Sequence, residues 1–239
     1  PRSISTTCFP ALAMVIAQEI PAGPPPTTIT SVLLLFVSSF SITNHPMIYI
    51  YNKNYTSNFI HCKIVNMIIT AGKFKGQKVQ APDENITRPT LSKVRMSIFN
   101  TLQAMIDFDN NSFLDMYAGS GIMGLEALSR GFSKVVAIEK HPKVSQIIKT
   151  NFKKFTPSPK LLFGDSLKVA VKLNEKFDVI YIDPPYFSGI YEKSLNAIKN
   201  IVGGIIILEH VTDVDLTGYE VIKQKKYGDK FITFLRKVE

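Results

Sequence analysis

From residue 113 onward, nearly unbroken apolar runs alternate with amphipathic stretches. The runs predict strands over 113–118, 135–139, 161–165, 178–183 and 204–210, and a helical period fits 122–129, 144–155, 166–173 and 191–201. Strands apolar on both faces are expected where helices cover a parallel sheet from both sides. The tail "YEVIKQKKYGDKFITFLRKV" reads as two strands about a Tyr-Gly-Asp turn, hence an antiparallel pair. Five βα units and a hairpin predict an α/β fold: a doubly wound, mostly parallel sheet with an antiparallel C-terminal strand.

Ahead of that sheet lies a smaller piece. "IITAGKFKGQKVQAP" has the pattern of a short hairpin bent at Gly72 and Gly76. "TLSKVRMSIFNTLQAMI" carries Val94, Ile98, Leu102 and Met105 on one helical face, with Thr90 placed to cap it. Lys73, Lys75 and Lys78 alternate along a possible strand, as a solvated edge or as contacts to an anionic partner. Residues 1–66 differ in character, with the Pro-rich "PAGPPPTTIT" and the apolar "SVLLLFVSSFSI". They are expected to be a disordered extension or a start-site artefact. The division expected is thus 1–66, a hairpin-helix appendage over 67–110, and the sheet domain over 111–239.

Composition narrows the class. The chain has 239 residues and 45% apolar content, enough for one well-cored domain with material to spare. Its two cysteines, Cys8 and Cys62, fall outside the patterned region, so no disulfide framework holds the core and a reducing, cytoplasmic setting is expected. The longest apolar run is too short to span a bilayer comfortably, and no membrane partner is expected. His141 and His210 lack metal-ligand spacing, so no metal is expected. Of 28 basic and 19 acidic residues, only three and one precede residue 67, which leaves +7 of the +9 net charge on the remainder. That excess points to an anionic partner, with nucleic acid favoured.

Candidate chemistry gathers at strand ends. "DMYAGSGIMG" runs from a strand through Gly119, Gly121 and Gly124, a G-x-G-x-x-G turn shared by sites for NAD, FAD and S-adenosylmethionine. Glu139 ends the next strand, where an acid accepts hydrogen bonds from ribose hydroxyls. Asp115 discriminates among the three. A carboxylate four residues before the first glycine repels a pyrophosphate but suits a sulfonium and an ammonium. Asp165 can accept from an adenine amine, or it can simply cap the helix that follows. With Asp183, these acids converge on the crevice beyond the carboxyl edge of the sheet.

The run "FDVIYIDPPYFSG" ends its strand in Asp183, Pro184, Pro185 and Tyr186. Two prolines make a stiff turn that aims the Asp183 carboxylate and the Pro184 carbonyl at one donor. The donor that suits two acceptors is an NH₂, and Tyr186 offers a face on which a base can stack. Holding both amine hydrogens would localise the nitrogen lone pair toward a methyl donor. The base must be unpaired or flipped to enter.

The glycine loop and Asp-Pro-Pro-Tyr together resemble the S-adenosylmethionine-dependent amino-methyltransferases. "AGKFKGQKVQAP", "TRPTLSKVRMSIFNTL", "DMYAGSGIMGLEALSRGFSKVVAIE" and "FDVIYIDPPY" further resemble the bacterial 16S ribosomal RNA (guanine(966)-N(2))-methyltransferases. The resemblance covers nearly all of 67–239 and implies a Rossmann-like class I methyltransferase fold. It implies S-adenosylmethionine bound by Asp115, Gly119, Gly121, Glu139 and Asp165, and catalysis by Asp183, Pro184 and Tyr186 on a guanine N2 amine. It implies RNA contacts from Lys73, Lys75 and Arg88, with 16S rRNA or the assembling small subunit as partner and a monomeric enzyme. Met96 stands where the family pattern usually has an acid, and lysines stand where relatives often have arginine near the hairpin. Rival readings are a DNA adenine-N6 methyltransferase and a non-catalytic cofactor- or RNA-binding assembly factor. The 18-residue step from Asp165 to Asp183 leaves little room for the target-recognition domain of the first. The Asp-Pro-Pro-Tyr turn counts against the second, and Asp115 counts against an NAD-dependent dehydrogenase.

Overall fold

The computed structural model describes residues 66–82, 92–185 and 189–238, together with the backbone of three strands that precede them. Those strands are β1 (Leu34–Ser38), β2 (Met47–Tyr51) and β3 (Asn58–Ile60), paired antiparallel in that order. They fall in a unit over Pro1–Lys63, and the unit over Ile64–Glu239 carries everything that follows.

Seven strands make the main sheet. β6 (Ser112–Asp115), β7 (Lys134–Glu139), β8 (Lys160–Phe163), β9 (Phe177–Ile182) and β10 (Val202–His210) run parallel. β11 (Tyr219–Tyr227) and β12 (Lys230–Lys237) form the closing hairpin. The order β11-β12-β10-β9-β6-β7-β8 puts the reversal of winding between β6 and β9. The helices are α1 (Ser92–Gln103), α2 (Ile122–Arg130), α3 (Pro142–Phe152), α4 (Ser166–Ala170) and α5 (Ile190–Ala197).

The apolar runs are explained by two cores, one on each face. Phe113, Val179, Tyr181, Ile207, Ile232 and Phe234 turn toward α1, α2 and α3, which contribute Ile98, Leu125 and Ile148. Leu114, Val136, Ile180, Ile206 and Leu208 turn toward α4 and α5, which contribute Ala170 and Leu195. Successive residues alternate between the cores, as the two-residue period of a strand requires. β12 inserts beside β10 and leaves β11 at the edge. The reason lies in "FITFL" of β12, buried over its last four residues, against the largely exposed "YEVIKQKKY" of β11.

Helix ends depart from the periodic pattern. α3 stops at Phe152, where the chain turns through Lys153–Phe155, and α4 is only five residues long before turns at Lys172 and Leu173 close it. The apolar period continues through both turns because their side chains still face the core. Among the described residues no helix is long and apolar enough to cross a membrane.

The appendage is β4 (Asn66–Ile68) paired with β5 (Lys78–Gln80), followed by α1. The intervening 71–76 is a turn, so of the three lysines that alternate in sequence only Lys78 stands on a strand. Gly72 has φ of 80°, and a Cβ there would sit 1.8 Å from the Ser129 carbonyl oxygen, so any side chain would expel the turn from α2.

One buried carboxylate ties these parts together. Glu126 of α2 accepts from the Thr70 amide at 2.9 Å, the Ala71 amide at 3.1 Å and the Thr70 hydroxyl. It also pairs with Arg95 Nε at 3.2 Å and Arg130 Nε at 3.0 Å. Arg95 is fully buried and gives a further bond to the Ile68 carbonyl at 2.7 Å. Burial draws the Arg95 pKa below its ordinary value, and the Glu126 charge opposes that drop. Glu126→Gln should therefore cost about 3–5 kcal/mol, because it strands a buried guanidinium. Arg95→Met should cost less, since Glu126 keeps Arg130 and two amides. Urea unfolding of the full chain checks the order of the two, and equal losses would refute the asymmetry.

Candidate active site

The carboxyl ends of the parallel strands open at the β6/β9 reversal, where ligands of doubly wound sheets bind. Asp115 closes β6 there. The chain then makes the turn Gly119-Ser120-Gly121, with φ of 52° at Gly119 and 75° at Gly121. The two glycines serve different needs. A Cβ on Gly121 would come within 2.9 Å of the Phe152 ring, whereas one on Gly119 would meet only the Tyr117 carbonyl oxygen, at 4.0 Å. Gly121 is thus required by conformation and packing, Gly119 by conformation and by the open approach above it. Gly124 lets α2 lie close on β7, where a Cβ would meet Val135 at 3.1 Å.

Asp115 is completely buried, and neither carboxyl oxygen has a hydrogen-bond partner. Its pKa is pushed up to about 8, first by burial and next by the charge of Asp183, with Glu139 adding to both. The amides of Gly124 and Tyr117 face it and offset part of that rise without reaching hydrogen-bond geometry. An unpartnered buried carboxyl beside two further acids is costly in isolation. A cation placed among them removes the cost.

Glu139, at the end of β7, accepts from the Gly119 amide at 3.0 Å and the His141 amide at 2.7 Å. Each oxygen keeps a second lone pair, and the glycine turn is held against the acid. Asp165 is the N-cap residue of α4 and accepts from the Lys168 amide at 3.1 Å. It is exposed, and its charge reaches the Tyr117 phenol. Next to it, Phe163 ends β8 opposite Glu139 and is 58% exposed. "LLFGDS" in isolation gives no sign of this, because a strand-end phenylalanine usually points into a core.

Asp183 follows β9, with Pro184 buried beside it and Pro185 exposed. Lys230, the first residue of β12, places Nζ 3.9 Å from Asp183 Oδ1 and is itself bonded to Glu209 of β10. Glu209 is buried and accepts from the Tyr181 hydroxyl at 2.9 Å. Burial and the Asp183 charge raise the Tyr181 pKa well above its ordinary value, so it stays a donor. The Glu209–Lys230 pair escapes a motif search, although one charge inside "GGIIILEH" is a visible anomaly. Lys230 carries no local signal, because only the hairpin fold brings it here.

The structure thus brings Glu139 and Asp183 within electrostatic reach of Asp115, with Asp165 and Phe163 farther along the strand ends. It does not bring Lys73 and Lys75 to the crevice. Their turn packs on Ser129 at the far end of α2 from Gly121, about 12 Å of helix away. Tyr186 and Arg88 lie outside the described residues.

A family model described as conserved hypothetical protein 95 matches residues 67–236. YlbH of Bacillus subtilis, which carries an rRNA methyltransferase name, is 34% identical over 163 residues, covering 63% of this chain and 85% of its own. Ribosomal RNA small subunit methyltransferase D of Buchnera aphidicola is 33% identical over 148 residues, covering 60% and 75%. Among solved structures, yhhF of Escherichia coli superposes with a TM-score of 0.65 at 22% identity, covering 73% of this chain and 99% of that one, a likeness of fold. The chain belongs to the conserved hypothetical protein 95 family, on the fold of the class I methyltransferases.

Proposed function

We propose that the chain transfers a methyl group from S-adenosylmethionine to the exocyclic N2 amine of a guanine in small-subunit ribosomal RNA. The observation that carries this reading is Asp115, a buried carboxyl with no partner, set beside a glycine turn and a second acid. That arrangement repels a pyrophosphate and accepts a ligand bearing an ammonium and a sulfonium. The names of the relatives supply the RNA and its subunit.

Bound there, S-adenosylmethionine supplies an electrophilic methyl on a cationic sulfur. Asp115 and the open backbone at Gly119 would receive its amino-acid end, and Glu139 would use its free lone pairs for ribose hydroxyls. Asp165 and the exposed Phe163 ring would take the adenine. On the opposite side, Asp183 and the Pro184 carbonyl would hold the two hydrogens of the guanine amine. The Glu209–Lys230 pair fixes the Asp183 carboxylate in place. Catalysis is then orientation and electrostatics: the nitrogen lone pair is aimed along the line of displacement, and Asp183 faces the positive charge as it develops on the amine. With the methyl passing from sulfur to the amine nitrogen, Asp183 would be placed to take the proton that the amine then sheds.

The test incubates the full chain with tritiated S-adenosylmethionine and unmodified small-subunit particles, naked rRNA or DNA, followed by nucleoside analysis. Label in N2-methylguanosine is expected, and label confined to N6-methyladenine of DNA refutes the substrate. Asp183→Asn should lower kcat about 100-fold or more and leave S-adenosylhomocysteine affinity within about threefold.

Asp115 adds a pH signature. With its pKa raised to about 8, it is protonated at pH 7 in the free protein. A docked cation stabilises the carboxylate, so binding releases a proton, and affinity should climb with pH up to about 8 and then level. Calorimetry of S-adenosylhomocysteine binding in buffers of different ionisation enthalpy reads the released proton directly. No release at pH 7, or the same release from Asp115→Asn, would refute the assignment.

A further inference from the structure

A second feature lies on the same face of the sheet. Between α1 and the edge strand β11 runs an open groove of about 480 Å³, lined among others by Lys93, Met96, Ser97, Thr101, Lys223 and Lys225. Among the described residues no acidic side chain lines it, and α1 has none in its whole length. Lys225 Nζ donates to the Ser97 hydroxyl at 3.0 Å and to the Thr101 hydroxyl at 2.6 Å. The Tyr227 hydroxyl also bonds Ser97, fixing the hydroxyl that fixes the lysine. Two of three ammonium hydrogens are thus held by neutral groups, and the third is left for a ligand. Among the described residues no carboxylate lies within ion-pair distance of Lys93, Lys223 or Lys225. Here the fold orients a cation and, among the described residues, supplies no counter-charge.

The groove also leads to the amine site. Lys225 stands opposite Ile232, Ile232 opposite Glu209, and Leu208 opposite Ile182, the residue before Asp183. Three strand spacings, about 14 Å, therefore separate Lys225 from Asp183. Tyr181, Ile207 and Ile232 share the core on the α1 side, so the alternate positions Asp183, Glu209 and Lys230 take that side too. Lys223, two residues before Lys225, extends the row away from the crevice, and Lys93 faces it from α1.

We propose that this groove is the docking track for the sugar-phosphate backbone of the RNA strand whose target base enters at Asp183. The inference rests on the reading of the chain as an RNA-modifying enzyme and names the surface that reading lacks, since Lys73 and Lys75 sit at the far end of α2. Lys93 and Lys223 grip phosphates from opposite walls. Lys225 is pinned to the α1 hydroxyls between them, and Lys230, paired with Glu209 and close to Asp183, lies between the groove and the site.

The test uses the full chain with Lys93→Ala/Lys223→Ala, and Lys172→Ala as a control on an exposed turn away from the groove. Binding to a fluorescent small-subunit rRNA fragment is measured across a salt series, beside S-adenosylhomocysteine affinity and methyl transfer. The double variant should bind RNA about tenfold more weakly, and its log K against log salt slope should shrink by about 0.7–0.9 for each phosphate no longer neutralised. KM for RNA should rise with kcat and S-adenosylhomocysteine affinity unchanged, and the control should match wild type. An unchanged salt slope overturns the track whatever the activity. A double variant that self-associates on sedimentation with RNA binding intact also overturns it, since the lysines would then only guard an edge strand. A reduced slope in a protein that transfers no methyl supports the track and refutes only the reading of the site.

Discussion

Glu126 accepts hydrogen bonds from the β4–β5 ribbon and forms ion pairs to Arg95 and Arg130, and through them it fixes where α1 stands. With α1 so placed, its apolar stripe covers β12 and its hydroxyls reach Lys225 and Tyr227 on β11. A buried ion pair adds little net stability against an apolar replacement, but it tolerates only one arrangement. Here that arrangement orients the appendage on the sheet. The groove between α1 and β11 exists because of it.

The crevice follows from a different constraint. Parallel strands deliver their carboxyl ends to one edge, so any acid that ends a strand joins the others there. Asp183 and Glu139 each oppose a negative charge on Asp115, and the fold answers the three acids differently. Glu139 takes two backbone amides, and Asp183 has Lys230 nearby, anchored by Glu209. Neither carboxyl oxygen of Asp115 reaches a hydrogen-bond partner, and burial with the Asp183 charge raises its pKa. Of the three acids it is the one whose carboxyl the fold leaves without a hydrogen-bond partner.

Much of this was legible along the chain. Strand ends at Glu139 and close to Asp183 could be read because apolar runs and the turns that stop them are local signals, whereas the strand expected over 113–118 already ends at Asp115. The double winding followed from the alternation of elements, and the reversed hairpin from its turn. Asp165 illustrates an ambiguity that sequence leaves open: the same residue before a helix can cap it or face a ligand, and the geometry shows the cap. The lysines of the hairpin illustrate a different one, since charge and spacing are local but position is not. Lys73 and Lys75 lie on a turn docked to Ser129, whereas the basic groove assembles from α1 and β11, more than a hundred residues apart.

By itself, the sequence determined which residues end strands, which turns need glycine or proline, and which helical face is apolar, because each depends on neighbours a few positions away. Only the tertiary structure decided that Glu126 would meet Arg95, that Lys230 would stand between Glu209 and Asp183, and that Lys225 would be pinned by the hydroxyls of Ser97 and Thr101. These pairings join residues 21 to 128 positions apart, and nothing local encodes them. They are set by the order in which strands pack and by which hairpin strand is apolar enough to lie inside.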